Sequence, residues 1–186
     1  MRIVGGARRG LVLASPESGD VSIRPTSDRL REAIFNVLAH GYGDPVEGAR
    51  VLDLFAGTGA LGLEAMSRGA AFATFVDNGP DAQALIRRNL AKYGGGGMTL
   101  LQRDVARMGP AKPLPPFSLV FCDPPYGRGL GAPALAVCRA GGWFAPDALI
   151  VVEEAAEAAF AFLPGIAEQE RRLYGATEIV FGRNEV

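Results

Sequence analysis

From Arg50 onward, short apolar runs of strand length alternate with stretches of helical periodicity, and no other feature constrains the fold as strongly. The pattern predicts strands over 50–55, 72–76, 98–102, 118–122 and 148–152, with helices over 60–68, 80–92 and 130–140. Successive strand–helix–strand units close as right-handed crossovers, so the expected fold is a doubly wound, mainly parallel α/β sheet. The tail departs from the alternation. Residues 169–174 and 177–182 flank Gly175-Ala176 and predict an antiparallel hairpin, for seven strands in all.

Ahead of this pattern lies a different kind of segment. Ile3-Val4 and Leu11-Val12-Leu13, separated by glycines and arginines, read as a small β-hairpin appendage over 1–23. Residues 24–48 read as a helix over 28–40, capped by Thr26 or Ser27, and a loop leading into a core over 49–186. At 186 residues, with 48% apolar and 21% charged, the chain is expected to form one domain and to fold without a partner. Net charge is only −1, but residues 1–31 hold six arginines against three acids, leaving −4 on the remainder. That split points to an anionic partner at the N-terminal segment. No apolar run reaches membrane-span length and no signal-peptide core is visible, so a cytoplasmic protein is expected. Cys122 and Cys138 lack metal or disulfide spacing, and no metal is expected.

The first strand runs into Ala56-Gly57-Thr58-Gly59-Ala60-Leu61-Gly62, whose glycines permit a sharp turn and close approach to a ligand. Taken literally this is GxGxxG, and Asp77 lies 20 positions after Gly57, as in a nicotinamide dinucleotide site. Asp53 argues otherwise. A carboxylate there sits poorly beside a pyrophosphate and suits a cation such as S-adenosylmethionine, which carries an ammonium and a sulfonium. The cofactor's own carboxylate would meet the start of the following helix. Asp77 is placed for ribose hydroxyls and Asp104 for an adenine amine. Phe55, Ala56, Thr58 and Gly59 in the loop, Asn78 after Asp77 and Val105 after Asp104 complete the candidate cofactor set. Each aspartate alone is equally a strand-end turn or helix cap.

After the fourth strand comes Asp123-Pro124-Pro125-Tyr126. An aromatic amine is a poor nucleophile because its lone pair is delocalised into the ring. Asp123 can accept one N–H and the Pro124 carbonyl the other, which directs the lone pair at an electrophilic methyl group. Pro125 fixes the turn, and Tyr126 can stack on a base swung out of its helix. A Pro-Pro turn closing a strand is the plain structural alternative.

With these segments in view, the chain resembles the bacterial methyltransferase family that modifies the N2 amine of a guanine in 16S ribosomal RNA, over nearly its full length. The matching residues are Arg2-Ile3-Val4-Gly5-Gly6 with Arg9-Gly10, Arg24-Pro25-Thr26 with Asp28-Arg29 and Arg31-Glu32, 53–62, and Asp123-Pro124-Pro125-Tyr126. The resemblance implies a Rossmann-like fold and an S-adenosylmethionine-dependent enzyme. It also implies that the N-terminal hairpin, with Arg8, Arg9 and Arg24, touches RNA, and that Thr26 lies beside cofactor and target base. The expected substrate is 16S ribosomal RNA, bare or in a partly assembled small subunit, met by a monomer. Adenine-N6 or protein-glutamine methylation, a dinucleotide oxidoreductase and a noncatalytic RNA-binding module are the rivals. His40 at a helix end is read as a favourable terminal charge, and Trp143 as core packing. Glu153-Glu154 is read as a solvated face, with a site role as the alternative for Glu153, which emerges at the strand's C-terminal end where such sheets bind ligands.

Overall fold

The computed structural model describes residues 1–16 and 26–185. Its helices are α1 (Asp28–Gly41), α2 (Ala60–Ser67), α3 (Pro80–Tyr93) and α4 (Gly131–Ala140). Its strands are β1 (Arg50–Leu54), β2 (Phe72–Asp77), β3 (Met98–Gln102), β4 (Phe117–Cys122), β5 (Phe144–Ala155), β6 (Ile166–Tyr174) and β7 (Thr177–Asn184). They form one seven-stranded sheet in the order β3-β2-β1-β4-β5-β7-β6. The first five pair in parallel, and β7 and β6 return antiparallel. The expected fold class is therefore the observed one.

Alternation along the strands divides the core into two layers. Val51, Leu119, Phe121, Leu149 and Val151 join one apolar cluster with residues of α1, α2 and α3, whereas Leu52, Leu54, Val120, Cys122, Ile150 and Val152 join the other with α4. Successive strand side chains point to opposite faces, so both faces of the sheet must be covered. On α1, Ile34, Phe35, Val37 and Leu38 turn inward at helical spacing, and Ser27 caps its start by accepting a hydrogen bond from the Leu30 N–H at 3.1 Å. Each such buried side chain contributes about 1.5–3 kcal/mol of transfer free energy.

The N-terminal segment closes on itself through the Arg2–Val12 bridge and turns over a 3-10 turn at Gly6–Arg8. It does not stand off the core: Ile3 and Leu13 are buried in the α1–α2–α3 cluster. Charged groups grip its main chain. The buried Glu64 carboxylate accepts the N–H groups of Val4 and Gly5, each at 2.8 Å, and buried Arg31 donates to the Arg2 carbonyl while pairing with Asp28 at 2.7 Å. Asn89 ties the same segment to the glycine loop, accepting from the Ala14 N–H at 2.7 Å and donating to the Thr58 carbonyl at 2.8 Å.

Several boundaries differ from expectation. β5 begins at Phe144 rather than 148, because Trp143 is buried, stacked on Phe117 with ring centroids 6.0 Å apart, and draws the chain into the sheet early. Glu153 and Glu154 are both buried, correcting the solvated-face reading: β5 lies between β4 and β7, so its end is enclosed on both sides. Among the described residues no helix is long and apolar enough to cross a membrane.

Candidate active site

Strand order reverses between β1 and β4, so the loops leaving their C-terminal ends part to opposite faces and open a crevice, the usual ligand position in such sheets. Alternation decides which side chains enter it. Asp53 continues the face of Val51, Asp123 that of Phe121, and Glu153 that of Val151. Register sets these strands side by side, with Leu54, Cys122 and Val152 in line, so Asp123 and Glu153 emerge one step further on adjacent strands. Three carboxyl groups from three neighbouring strands thus converge on one cavity.

That cavity has a volume of about 540 Å³. Its walls include Asp53, Phe55, Ala56, Gly57, Thr58, Asp77, Asn78, Thr26, Asp123, Pro125 and Tyr126 among the residues expected at the site. Asp81 and Glu153 join them, giving five acidic side chains, and among the described residues no arginine, lysine or histidine lines it. Four residues expected in the site fall outside the lining: Gly59, Asp104, Val105 and Pro124. Gly59 sits behind the loop in the left-handed conformation at φ 78°, Asp104 accepts the Ala106 N–H at 3.0 Å as the cap of a 3-10 turn, and Val105 is buried in the α4-side cluster. Pro124 is buried under the loop while Pro125 faces out.

The glycine loop is built by close approach. Phe55 adopts φ 57°, a left-handed conformation uncommon for a non-glycine residue, and turns the chain out of β1. Asp77 pins the loop, its Oδ2 accepting the Gly57 N–H at 2.9 Å and its Oδ1 the Gly79 N–H at 2.8 Å. Asp53 Oδ2 accepts the Gly62 N–H at 2.9 Å. A side chain at Gly62 would place Cβ 2.4 Å from the buried Phe75 ring, so α2 can pack this closely only on glycine. Gly59, at the N-cap of α2, makes no side-chain cap bond, and Asp53 takes only the Gly62 N–H of the first turn, whose residues Ala60 and Leu61 line the cavity.

Burial dominates the electrostatics. It pushes the Asp53 carboxyl up to about 8, with neighbouring Asp77 adding to the effect and the Gly62 N–H opposing it. Burial, then the adjacent Glu153, raise Asp123 well above the usual carboxylate range. The Thr26 hydroxyl lies between that pair, 3.2 Å from Asp123 Oδ2 and 3.1 Å from Glu153 Oε2. The Tyr126 hydroxyl donates to Glu153 Oε1 at 2.5 Å and lies 3.3 Å from Thr177 Oγ1, so the ring is held from its far end. Behind the loop, Glu154 Oε1 accepts the Gly127 N–H at 3.2 Å and fixes the turn that follows Tyr126. Sequence reasoning undervalued Glu153. Counting by twos from Leu149 and Val151 would have turned it toward Asp53 and Asp123.

Arg8 and Arg9 are exposed on the N-terminal turn. The Arg8 guanidinium lies 5.5 Å from the Tyr93 ring centre, and Arg9 borders a second hollow with Arg2, Asp28, Arg29 and Glu32. Arg24 lies outside the described residues.

A parallel sheet ending in an antiparallel pair, with a glycine loop and Asp-Pro-Pro-Tyr at adjoining strand ends, defines a Rossmann-like methyltransferase. The chain belongs to the family described as "Conserved hypothetical protein 95", whose model matches residues 1–183. It is 40% identical over 157 residues to ribosomal RNA small subunit methyltransferase D of Escherichia coli strain K12, covering 84% of this chain and 76% of that protein. The protein of the same name from Haemophilus influenzae is 32% identical over 156 residues, 82% of this chain and 78% of its own length. The solved structure of Escherichia coli yhhF superposes with a TM-score of 0.82 at 34% identity, covering 100% of this chain and 98% of that one.

Proposed function

We propose that this chain, working as one folded unit and as a monomer, transfers the methyl group of S-adenosylmethionine to the exocyclic N2 amine of a guanine in small-subunit ribosomal RNA. The observation that carries the cofactor is the acid-lined cavity. Five carboxyl-bearing side chains line it and, among the described residues, no arginine, lysine or histidine does, a lining that repels a pyrophosphate and attracts a cation and so disfavours the dinucleotide reading. The donor set also fits. Asp53 would meet the ammonium, the start of α2 at Ala60 and Leu61 the carboxylate, and Asp77, beside Asn78, the ribose hydroxyls. Bound there, the cofactor supplies an electrophilic methyl group on its sulfonium.

The protein's own work is to present the amine. Asp123 and the Pro124 carbonyl would receive its two N–H groups, and Tyr126, whose hydroxyl is anchored to Glu153, would offer its ring to the base. The guanine follows from the resemblance alone, and small-subunit ribosomal RNA also from the name of the 40%-identical relative. Arg8, Arg9 and Arg24 would meet phosphates outside the cavity. The deciding experiment incubates the protein with methyl-labelled S-adenosylmethionine and small-subunit RNA, bare and assembled with ribosomal proteins, and maps the label. Label on guanine N2 supports the reading. Label on adenine N6 or on a protein glutamine would replace the substrate, and no label would overturn the proposal.

A further inference from the structure

The Thr26 hydroxyl has one hydrogen and two carboxyl neighbours at hydrogen-bond distance, Asp123 Oδ2 and Glu153 Oε2. With both carboxyls ionised, only one of these contacts is a hydrogen bond. The other then sets two oxygens together with no hydrogen between them, which is unfavourable. A single proton on the pair turns both contacts into hydrogen bonds. Tyr126 decides where that proton resides: its hydroxyl donates to Glu153 Oε1 and so favours the anion at Glu153. The groups facing Asp123 agree with one shared proton. Asp53 from β1 and Glu154 from β5 add negative charge near Asp123, and buried Arg31 from α1 is engaged by Asp28 and by the carbonyls of Arg2 and Thr26.

Resting on the amine-methylation reading above, we propose that Asp123, Thr26 and Glu153 form a proton relay in which Glu153 is the terminal acceptor. Asp123 rests as a neutral carboxyl, its Oδ2–H donated to Thr26 Oγ1 and its Oδ1 turned to the target amine. As the C–N bond forms, the methyl carbon's bond to sulfur breaks and its electron pair stays on sulfur. The nitrogen becomes cationic and must lose one proton. That proton passes to Asp123 Oδ1, the Oδ2 proton passes to Thr26 Oγ1, and the original Thr26 proton passes to Glu153 Oε2. Asp123 ends neutral as it began, and the net transfer is one proton from nitrogen to Glu153. An aspartate suits this role where an asparagine would not, because a carboxyl can receive a proton on one oxygen while releasing one from the other.

The test measures single-turnover methylation against pH for wild type, Glu153→Gln, Thr26→Val and Thr26→Ser. Near neutral pH the first two variants should be slower by ~10²-fold, the loss usual for a general-base contribution. The deficit should shrink as pH rises, because ionised Asp123 can then take the proton itself. Thr26→Ser, which keeps the hydroxyl, should recover most of the rate. A deficit equal at every pH would show that these residues only support the site, and full activity of Thr26→Val would show that no relay exists; either overturns the proposal. The resting protonation state can be read separately, without cofactor or RNA. Infrared spectra of wild type minus Asp123→Asn at neutral pH should show a protonated carboxyl band, with Asp53 cancelling between the two, and its absence would also overturn the proposal. A wild type that methylates no amine at all would instead refute the functional reading on which the relay rests.

Discussion

Replacing Asp53 with asparagine separates the charge of this side chain from its shape. Asn Oδ1 can still accept the Gly62 N–H that Asp53 now holds at 2.9 Å, so the loop and α2 should stay in place. With the carboxyl pushed up to about 8, about one molecule in ten carries the anion at pH 7 and about one in a hundred at pH 6. A cationic ligand binds the ionised form, so its affinity should rise by up to about tenfold per pH unit between 6 and 8 and then level off. From about one in a hundred ionised to about one half is about 50-fold, or about 2.3 kcal/mol across the window. The variant should bind weakly with the slope removed. Stability moves the other way. The unfolded chain loses this proton near 4 and the folded chain keeps it to about 8, so the native state binds more protons in between and wild-type stability falls as pH rises. Asp53→Asn should cancel that fall. Calorimetry with S-adenosylmethionine at pH 6, 7 and 8, in two buffers of different ionisation enthalpy, counts the released proton, and thermal melts over the same range follow stability. An identical pH dependence of affinity in wild type and variant would refute the argument.

Asp77→Ala should weaken S-adenosylmethionine by about 1.5–3 kcal/mol, through lost ribose contacts and the loosened loop at Gly57, while RNA affinity changes little; equal cofactor affinity in a titration would remove Asp77 from the site. Gly62→Ala forces Cβ against the buried Phe75 ring and should cost about 1–3 kcal/mol in a denaturant melt; an unchanged midpoint would mean that α2 shifts freely. Changing Arg8 and Arg9 together to alanine should leave cofactor affinity intact and reduce the log-affinity against log-salt slope for RNA by ~1.4, about 0.7 per phosphate contact. An unaltered slope on small-subunit RNA would show both arginines to be merely solvated.

What could be read beforehand was local in the chain. The glycine loop and Asp-Pro-Pro-Tyr each carry their signal within a few residues, because turn geometry and strand-end chemistry are short-range. The strand pattern sufficed for the sheet, since strands covered on both faces are written as short continuous apolar runs. Glu153 was harder to read, because its meaning lies in register with Asp123 across 30 residues of chain, and two adjacent glutamates resemble solvated charge. Asp104 shows the converse. Its position after β3 matches a cofactor contact as well as a cap, and the structure puts it on the Ala106 N–H. The packing of Ile3 and Leu13 also escaped detection, since two apolar residues set among glycines and arginines carry no period.

Glu64 and Arg31 hold the N-terminal segment by the N–H groups of Val4 and Gly5 and the carbonyl of Arg2, none of which depends on side-chain identity. Docking and recognition are thereby separated. Exposed positions such as Arg8 and Arg9 can be rewritten without disturbing the anchor, provided that the buried Ile3 and Leu13 are kept, as well as Gly5 and Gly6, which lie too close to Arg68 and the Ser67 carbonyl to carry a side chain. On the proposal that RNA is met there, the segment is a natural cassette for retargeting: libraries confined to its outward side chains would vary which RNA is engaged while α2, the glycine loop and the chemistry beneath them remain as they are.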